Sequence, residues 1–503
     1  MNKRRLKYRF ISVFFIPLCI IVFAGNVFAE SSVKYDYFWS IGEMNKASLV
    51  MLQEKGIIAK PLAAEIAKAI DKVITEGNKP GGERPMDYLE IEALITKVGG
   101  KEISRVHSGR SRQDMQSTSE RMFLRKSLIT SYESLNGMRD KLIALASKHV
   151  DTIVPAYSHG VQSQPTTFGH YLLGWAESFD RDAARLREVY IRLNESPLGS
   201  AAGVTSSFDV DRNRLAQLLG FDGLVENALD AVYFSPASTH SEYASALSIS
   251  ALSIGNIAQD IHVQYHVPHP WITIKAGPPL TGISSIMPQK RNPRALENVR
   301  SIADSVIGGT QTVLLQAHNS NSYMHDFRYS LMARNVAVDA QNMYTLFGQT
   351  LDSLYVDKDR ALAEVDADYS TTSELADKLQ QIANVPFRIG HHFASQMVDY
   401  GRERNLKPTD IPYGEAQRLY KKDTGQDLPL TEVQFKDALS ASHMISASKG
   451  IGGPQLSEVK RMLDNELKRL NNDVNWVNDQ KTKLNDAETK LQRDFSKLVT
   501  MAK

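Results

Sequence analysis

Ala244-Ser245-Ala246-Leu247-Ser248-Ile249-Ser250-Ala251-Leu252-Ser253-Ile254 is apolar or small at every position. A helix of that composition has no face to offer water and belongs at the centre of a bundle. Its small residues let neighbouring helices approach closely. One subunit rarely has room to bury such a helix on all sides, so the segment points to a many-helix core completed by oligomerisation. Outward from it, helical spacing of apolar residues recurs from Leu49 to Ile74, Met122 to Leu145, Phe168 to Leu193, Ala244 to Ile261 and Leu296 to Leu315. It continues from Asn335 to Leu354, Glu374 to Tyr400 and Leu456 to Leu498. Strand-like alternation is scarce. Gly and Pro gather in the connections, at Lys79-Pro80-Gly81-Gly82, Ala276-Gly277-Pro278-Pro279 and Gly450-Ile451-Gly452-Gly453-Pro454. The last of these runs lacks a preceding strand and a P-loop lysine, so it reads as a turn and not a phosphate loop. The expected fold is all-α. The charged tail from Ser457 onward reads as a solvated terminal helix.

The chain has 503 residues, 42% hydrophobic and 23% charged, an ordinary globular balance. Its N-terminus stands apart. Lys3, Arg4, Arg5, Lys7 and Arg9 precede an apolar run from Phe10 to Gly25, and Val27-Phe28-Ala29 fits a small-residue cleavage site. This is the layout of a secretory signal peptide over residues 1–29, with an uncleaved membrane anchor as the alternative. A secreted or periplasmic protein is therefore expected, with no stable membrane partner once the peptide is removed. Loss of those five basic groups takes the formal charge from +2 to −3, leaving no basic excess for nucleic acid. Cys19, the only cysteine, leaves with them, so packing or oligomerisation must supply the stability.

The chemistry concentrates in Gly282-Ile283-Ser284-Ser285-Ile286-Met287-Pro288-Gln289-Lys290-Arg291-Asn292-Pro293. Prolines 278, 279, 288 and 293 exclude a continuous helix or central strand, so this is a loop. It carries two hydroxyls, a lysine and an amide close together, and loops of that kind often close over substrates. His262, His266 and His269 have a spacing that could suggest a metal site, but Pro268 interrupts any helix there. They read as a polar lead into the loop.

The run from Ser284 to Pro293 resembles the signature loop of the fumarase/aspartase superfamily. Within that superfamily the chain most resembles argininosuccinate lyase. His107-Ser108-Gly109-Arg110-Ser111-Arg112-Gln113-Asp114 is similar to the family's first signature segment. Tyr157-Ser158-His159, with Gln164-Pro165-Thr166-Thr167-Phe168-Gly169-His170, is similar to the second. Pro197-Leu198-Gly199-Ser200, Asp211-Arg212, Glu374–Asp377 and Val385–Arg388 follow in the family's order.

The resemblance implies three largely helical domains: 30–116, a central bundle over 117–367 with its signature loop at 276–293, and 368–503. It implies a homotetramer whose active sites are each built from three subunits. The substrate would be a small dicarboxylate, an N-substituted aspartate cleaved by β-elimination to fumarate and an amine or guanidine. By resemblance Ser284 is the base, Lys290 and Asn292 stabilise the carbanion's charge, and His159, paired with Glu297, carries the proton. Ser108, Arg112, Gln113, Ser158, Gln164 and Ser285 would hold the substrate. No cofactor or metal is implied, because fixed cations and N–H donors can stabilise an aci-carboxylate.

Several positions depart from the family's pattern. Gln113 stands for the usual Asn, Ser158 for Thr, Val161 for Gln, and Ile283 for the Gly before the serine pair. Tyr233-Phe234-Ser235-Pro236 replaces a charged run. The family's arginine-side segment should fall near residues 319–331, and the stretch 319–328 is also different. The fumarate-forming half is retained and the amine-side pocket is rebuilt. Argininosuccinate, another N-substituted aspartate, and an aminopolycarboxylate all remain open as substrates. The competing expectations are a catalytically silent homologue that binds or serves a structural role, and another lyase of the superfamily.

Overall fold

The computed structural model describes residues 35–318 and 328–501, side chains 328–331 excepted. The expected signal peptide, its membrane-anchor alternative and most of the altered 319–328 stretch lie outside the described residues. Among the described residues no helix is long and apolar enough to cross a membrane.

The N-terminal unit opens with α1 (Tyr37–Glu54), α2 (Lys60–Gly77) and α3 (Tyr88–Gly99), followed by a 3-10 turn at Lys101–His107. Asp36 and Asp87 cap α1 and α3 by accepting the N–H groups of Trp39 and Leu89. The apolar pattern from Leu49 to Ile74 is not one helix. It breaks at Gly56, whose φ of 72° ends α1.

The centre is a bundle of α4 (Arg112–Lys148), α5 (Phe168–Leu193), α7 (Ser235–Val263), α8 (Arg294–Ala317) and α9 (Arg328–Asp352), with short α10 (Lys358–Val365) at its side, while short α6 (Arg212–Leu218) joins the N-terminal core through Leu215, Ala216 and Leu218. Strands are two or three residues long and act as clips between loops. Cross-contacts fix the helix directions. Arg121 near the start of α4 donates to the carbonyls of Arg192 and Leu193 at the end of α5, so those helices are antiparallel. Ser117 bonds the Ala231 carbonyl and Ser131 the Tyr243 hydroxyl, so α7 runs with α4. Thr310 reaches the Ala244 carbonyl while Arg300 meets His262, so α8 runs back against α7. Gln341 bonds Ser131, and Lys141 pairs with Asp352, so α9 runs with α4. The bundle therefore has two poles. The 37 residues of α4 separate them by about 55 Å at 1.5 Å per residue.

The all-small segment behaves in part as expected. Ala244, Leu247, Ser250, Ala251 and Ile254 are buried inside the subunit, but Ile249 is 40% and Leu252 52% exposed. One subunit leaves that face of α7 uncovered.

The third unit contains α11 (Thr372–Ala383), α12 (Phe387–Glu403), α13 (Tyr413–Thr424), α14 (Glu432–Ala438) and α15 (Ala441–Ala447). Its apolar cluster includes Leu375, Leu379, Phe393, Met397, Tyr420 and Phe435. The pattern from Glu374 to Tyr400 divides between α11 and α12, because Asn384 takes a left-handed φ of 52° and Pro386 follows.

The final helix, α16 (Leu456–Thr500), corrects the expectation of a solvated tail. Val459, Leu463, Leu470 and Val477 join the central core, and Leu491, Phe495 and Leu498 join the N-terminal one. None of its residues belongs to the cluster of the third unit, so 368–503 is not a single packed body. Asp473 fastens α16 by accepting from Tyr132 (2.8 Å), Arg139 (2.5 Å) and Arg187 (2.6 Å). The helix is charged on one face and apolar on the other; the count of charges concealed the second face.

Candidate active site

The first signature segment forms the pole at the start of α4. Ser111 and Asp114 make a capping box, each side chain bonding the other's end of the first turn. The Asp114 carboxylate also accepts the N–H groups of Gly199 (2.8 Å) and Ala201 (3.0 Å), besides Ser111 (2.8 Å). It thereby ties the Arg112 turn to the Pro197–Ser200 loop. Burial pushes the Asp114 carboxyl up to about 6, against the opposing pull of those three N–H donors. Arg212 braces the same loop through the carbonyls of Leu198, Val225 and Glu226. The sequence motifs contain both residues without assigning them a role; an acid three places after a candidate capping serine, Ser111-x-x-Asp114, is the available signal.

On this scaffold Ser108 donates to the Arg105 carbonyl (2.8 Å). Arg112 projects into solvent, its nearest acid being Asp87 at 3.7 Å. Gln113 is half-buried, and its buried Oε1 has no hydrogen-bond partner. An exposed guanidinium suits a carboxylate ligand, whereas the Gln113 Oε1 accepts and calls for a donor.

The second segment lies at the opposite pole. Tyr157–Ser158 pairs with Val161–Gln162, Ser158 facing Val161. The two residues between, His159 (φ 55°) and Gly160 (φ 77°), both take left-handed conformations, as a tight two-residue hairpin requires. His159 thus stands at an exposed tip, beside exposed Ser158. The hairpin is anchored from behind. Gln162 Nε2 donates to the Val365 carbonyl (3.0 Å) and Ser370 (3.3 Å), and Gln164 to Ser373 Oγ (3.1 Å). Gln164 is therefore occupied as a strut in this subunit. A cavity of about 650 Å³ lies under the hairpin, lined in part by Tyr157, Phe168, Asp260, His266 and Trp271. A larger hollow of about 870 Å³, beside Trp39, Lys46 and Arg84, touches no motif residue.

The signature loop leaves the same pole as the hairpin and returns into α8. Its base is a short antiparallel pair, Gly282 opposite Asn292 and Ile283 opposite Arg291. Beyond that clip the chain turns so that the N–H groups of Ile286 (3.4 Å) and Met287 (3.1 Å) both donate to Ser284 Oγ. Ser284 is half-buried, and Ser285 and Lys290 are exposed. Asn292 is half-buried in the clip, and Glu297 is exposed in the first turn of α8. Among the described residues, no hydrogen bond or ion pair joins His159 to Glu297. Glu297 acts electrostatically on His262, whose imidazole burial and then Arg300 hold below its ordinary range. Among the described residues no group of three or more His, Cys, Asp or Glu is placed to hold a metal.

One chain therefore brings Ser284, Ser285, Lys290, Asn292 and Glu297 onto one loop and its helix. It brings Ser158, His159 and Gln164 onto a hairpin at the same pole, and leaves Ser108, Arg112 and Gln113 at the far one. Serine with two N–H donors aimed at its oxygen can carry negative charge as an alkoxide. Lys290, exposed on the same loop, can hold the charge of an aci-carboxylate.

Comparison with known proteins finds lyases. The Lyase family model matches residues 35–308, and the Argininosuccinate lyase C-terminal model matches 369–446. Argininosuccinate lyase 1 of Shouchella clausii is 31% identical over 444 residues, covering 86% of this chain and 88% of that one. Argininosuccinate lyase of Methanocaldococcus jannaschii is 30% identical over 454 residues, covering 87% and 91%. Among solved structures, EDDS lyase in complex with formate superposes with a TM-score of 0.83 at 27% identity, over 94% of this chain and 93% of that one. A fumarate lyase from Mesorhizobium sp. BNC1 shares the fold, with a TM-score of 0.68 at 18% identity over 88% and 99%.

Proposed function

Because the chain belongs to the argininosuccinate lyase family of the fumarase/aspartase superfamily, and is a carbon–nitrogen lyase, we propose that it eliminates the nitrogen from an N-substituted aspartate and releases fumarate. The observation that carries this is the Ser284 turn. Its hydroxyl oxygen receives two backbone N–H donors, on the loop that also presents Lys290 and Asn292. Ser284, as the alkoxide that its two N–H donors stabilise, takes the proton from the carbon beside the substrate's carboxylate and becomes the neutral hydroxyl. Lys290 and the Asn292 amide stabilise the two negative oxygens of the resulting aci-carboxylate, and water exclusion by the loop strengthens every such contact. The C–N bond then breaks, and His159, with Glu297 as its orienting carboxylate, delivers the proton to the departing nitrogen. Ser108, Arg112, Gln113 and Ser158 bind the dicarboxylate.

The site is composite in this reading. Arg112 and His159 stand at opposite poles about 55 Å apart along α4, so a small substrate reaches both only where subunits meet. The exposed apolar face of α7 at Ile249 and Leu252, and that of α8 at Leu314 and Leu315, supports association. A homotetramer is the assembly we favour. The basic and apolar N-terminus favours an extracytoplasmic enzyme, suited to catabolism of external substrates.

The test is fumarate absorbance near 240 nm from the purified protein with argininosuccinate, EDDS and simpler N-substituted aspartates, with Ser284→Ala beside it. Fumarate from at least one compound, lost in the variant, supports the reading. A folded oligomer that releases none from any of them favours the silent binding homologue.

A further inference from the structure

From Ile261 to Leu296 the chain carries four cations, Lys275, Lys290, Arg291 and Arg294, and no carboxylate side chain. Two of the four are engaged within the fold. Lys275 Nζ lies over the Tyr355 ring. Arg291 Nη1 donates to the carbonyls of Pro288 (2.8 Å) and Lys290 (3.1 Å). Lys290 has its place in the elimination. Arg294 has no such employment: it is exposed, and among the described residues it makes no hydrogen bond or ion pair.

Its position is specific nonetheless. A Cβ on Gly282 would meet Arg294 Nη2 at 3.2 Å, Nε at 3.4 Å and Cζ at 3.5 Å. The guanidinium thus lies in the space that a side chain at 282 would take, on the flank of the clip that carries the base. Residues i and i+2 of an extended segment share a face, so Arg294 stands on the same face as Ser284, displaced about 7 Å along the chain. In an N-substituted aspartate the carbon that loses the proton is bonded to the carbon that loses nitrogen. A carboxylate one carbon beyond that nitrogen lies about 5 Å from the reacting carbon, by ordinary bond lengths. With Ser284 at the C–H bond, such a carboxylate comes within reach of the Arg294 fork.

We infer that Arg294 binds a carboxylate on the amine side of the substrate, so that the enzyme selects N-(carboxyalkyl)aspartates over argininosuccinate. This rests on the elimination reading above and names its substrate class. In argininosuccinate the departing nitrogen belongs to a guanidinium, which Arg294 repels, and the amine-side carboxylate sits at the far end of a long chain. A planar guanidinium takes a nearby carboxylate through two parallel hydrogen bonds.

Binding is measured by titration calorimetry on Ser284→Ala protein, which holds ligands without converting them. The ligands are N-(carboxymethyl)aspartate, its uncharged counterpart N-ethylaspartate, and argininosuccinate. The carboxymethyl ligand is expected to bind at least about tenfold tighter than either of the others, the scale of one charge-assisted contact. Arg294→Gln in the same background brings the carboxymethyl-to-ethyl ratio toward one, and Arg294→Lys keeps part of it. Equal affinity for the first two ligands, or a preference that survives Arg294→Gln, overturns the assignment. Failure of the elimination reading shows separately, as an absence of fumarate when the Ser284 enzyme is given ligands that bind.

Discussion

Two inactive variants mixed together should regain activity. Arg112→Ala removes the dicarboxylate's guanidinium at one pole, and Ser284→Ala removes the base at the other. Each alone should lower turnover by about 10²-fold or more, the usual cost of a group that acts on developing charge. In the single subunit α4 holds Arg112 about 55 Å from the pole that carries the signature loop, several times the length of any amino dicarboxylate. The two groups must then reach one substrate from different subunits. In a one-to-one mixture of randomly reassembled oligomers, a site draws an intact Arg112 and an intact Ser284 independently, so about one quarter of sites are complete. The assay is fumarate release after dissociation and reassembly, with mixed oligomers verified by native mass spectrometry. Recovery to about a quarter of wild-type activity is expected. Verified mixed oligomers with no recovery would mean that both groups come from one chain, and would refute the two-pole geometry.

Asp114→Asn should flatten a stretch of the stability–pH curve. The folded carboxyl, raised by burial to about 6 from 3.8, binds its proton more tightly than the unfolded one. Its contribution is therefore full below pH 4 and is lost as pH rises through 6, about 3 kcal/mol for a shift of about two pKa units. Asparagine keeps an acceptor for the Gly199 and Ala201 N–H groups but does not titrate, so denaturant unfolding between pH 4 and 6 should lose this slope. Asp473→Ala should destabilise the protein by about 3–5 kcal/mol, because it leaves the fully buried Arg139, among the described residues, with one carboxylate, Asp180 at 2.9 Å, and the Asn136 amide oxygen at 3.3 Å. Calorimetry should show a melting point lower by several degrees, and an unchanged one would mean that α16 is not docked on the bundle.

Much of this was legible in the sequence, for identifiable reasons. The span from Phe168 to Leu193 could be read at its full length because its apolar spacing is regular and Thr167 caps it. The pattern from Leu49 to Ile74 misled because apolar residues, Ile57, Ile58 and Leu62, continue past the turn at Gly56. Periodicity alone does not detect that turn. The tail misled for the opposite reason. Its one apolar side chain per turn, from Val459 to Leu498, is outnumbered by charges, and only the packing shows that a narrow stripe suffices to dock a long helix. The motif residues could be named from the sequence but not arranged. Local chemistry marks Ser284 as a loop hydroxyl, yet its two N–H donors arise from a turn that residue types do not specify. Gln164 reads as a ligand and is spent on Ser373. Arg294 lies just past the motif, and its significance depends on the missing side chain at Gly282, a contact that spans twelve residues of loop.

The elimination itself is tested most directly by product stoichiometry. Purified enzyme is given an N-substituted aspartate it accepts, and fumarate and free amine are quantified together by proton NMR, with Ser284→Ala in parallel. The account predicts equal amounts of the two products from the wild type, and none from the variant although it still binds the substrate. Amine without fumarate, or both products from Ser284→Ala at the wild-type rate, would contradict it.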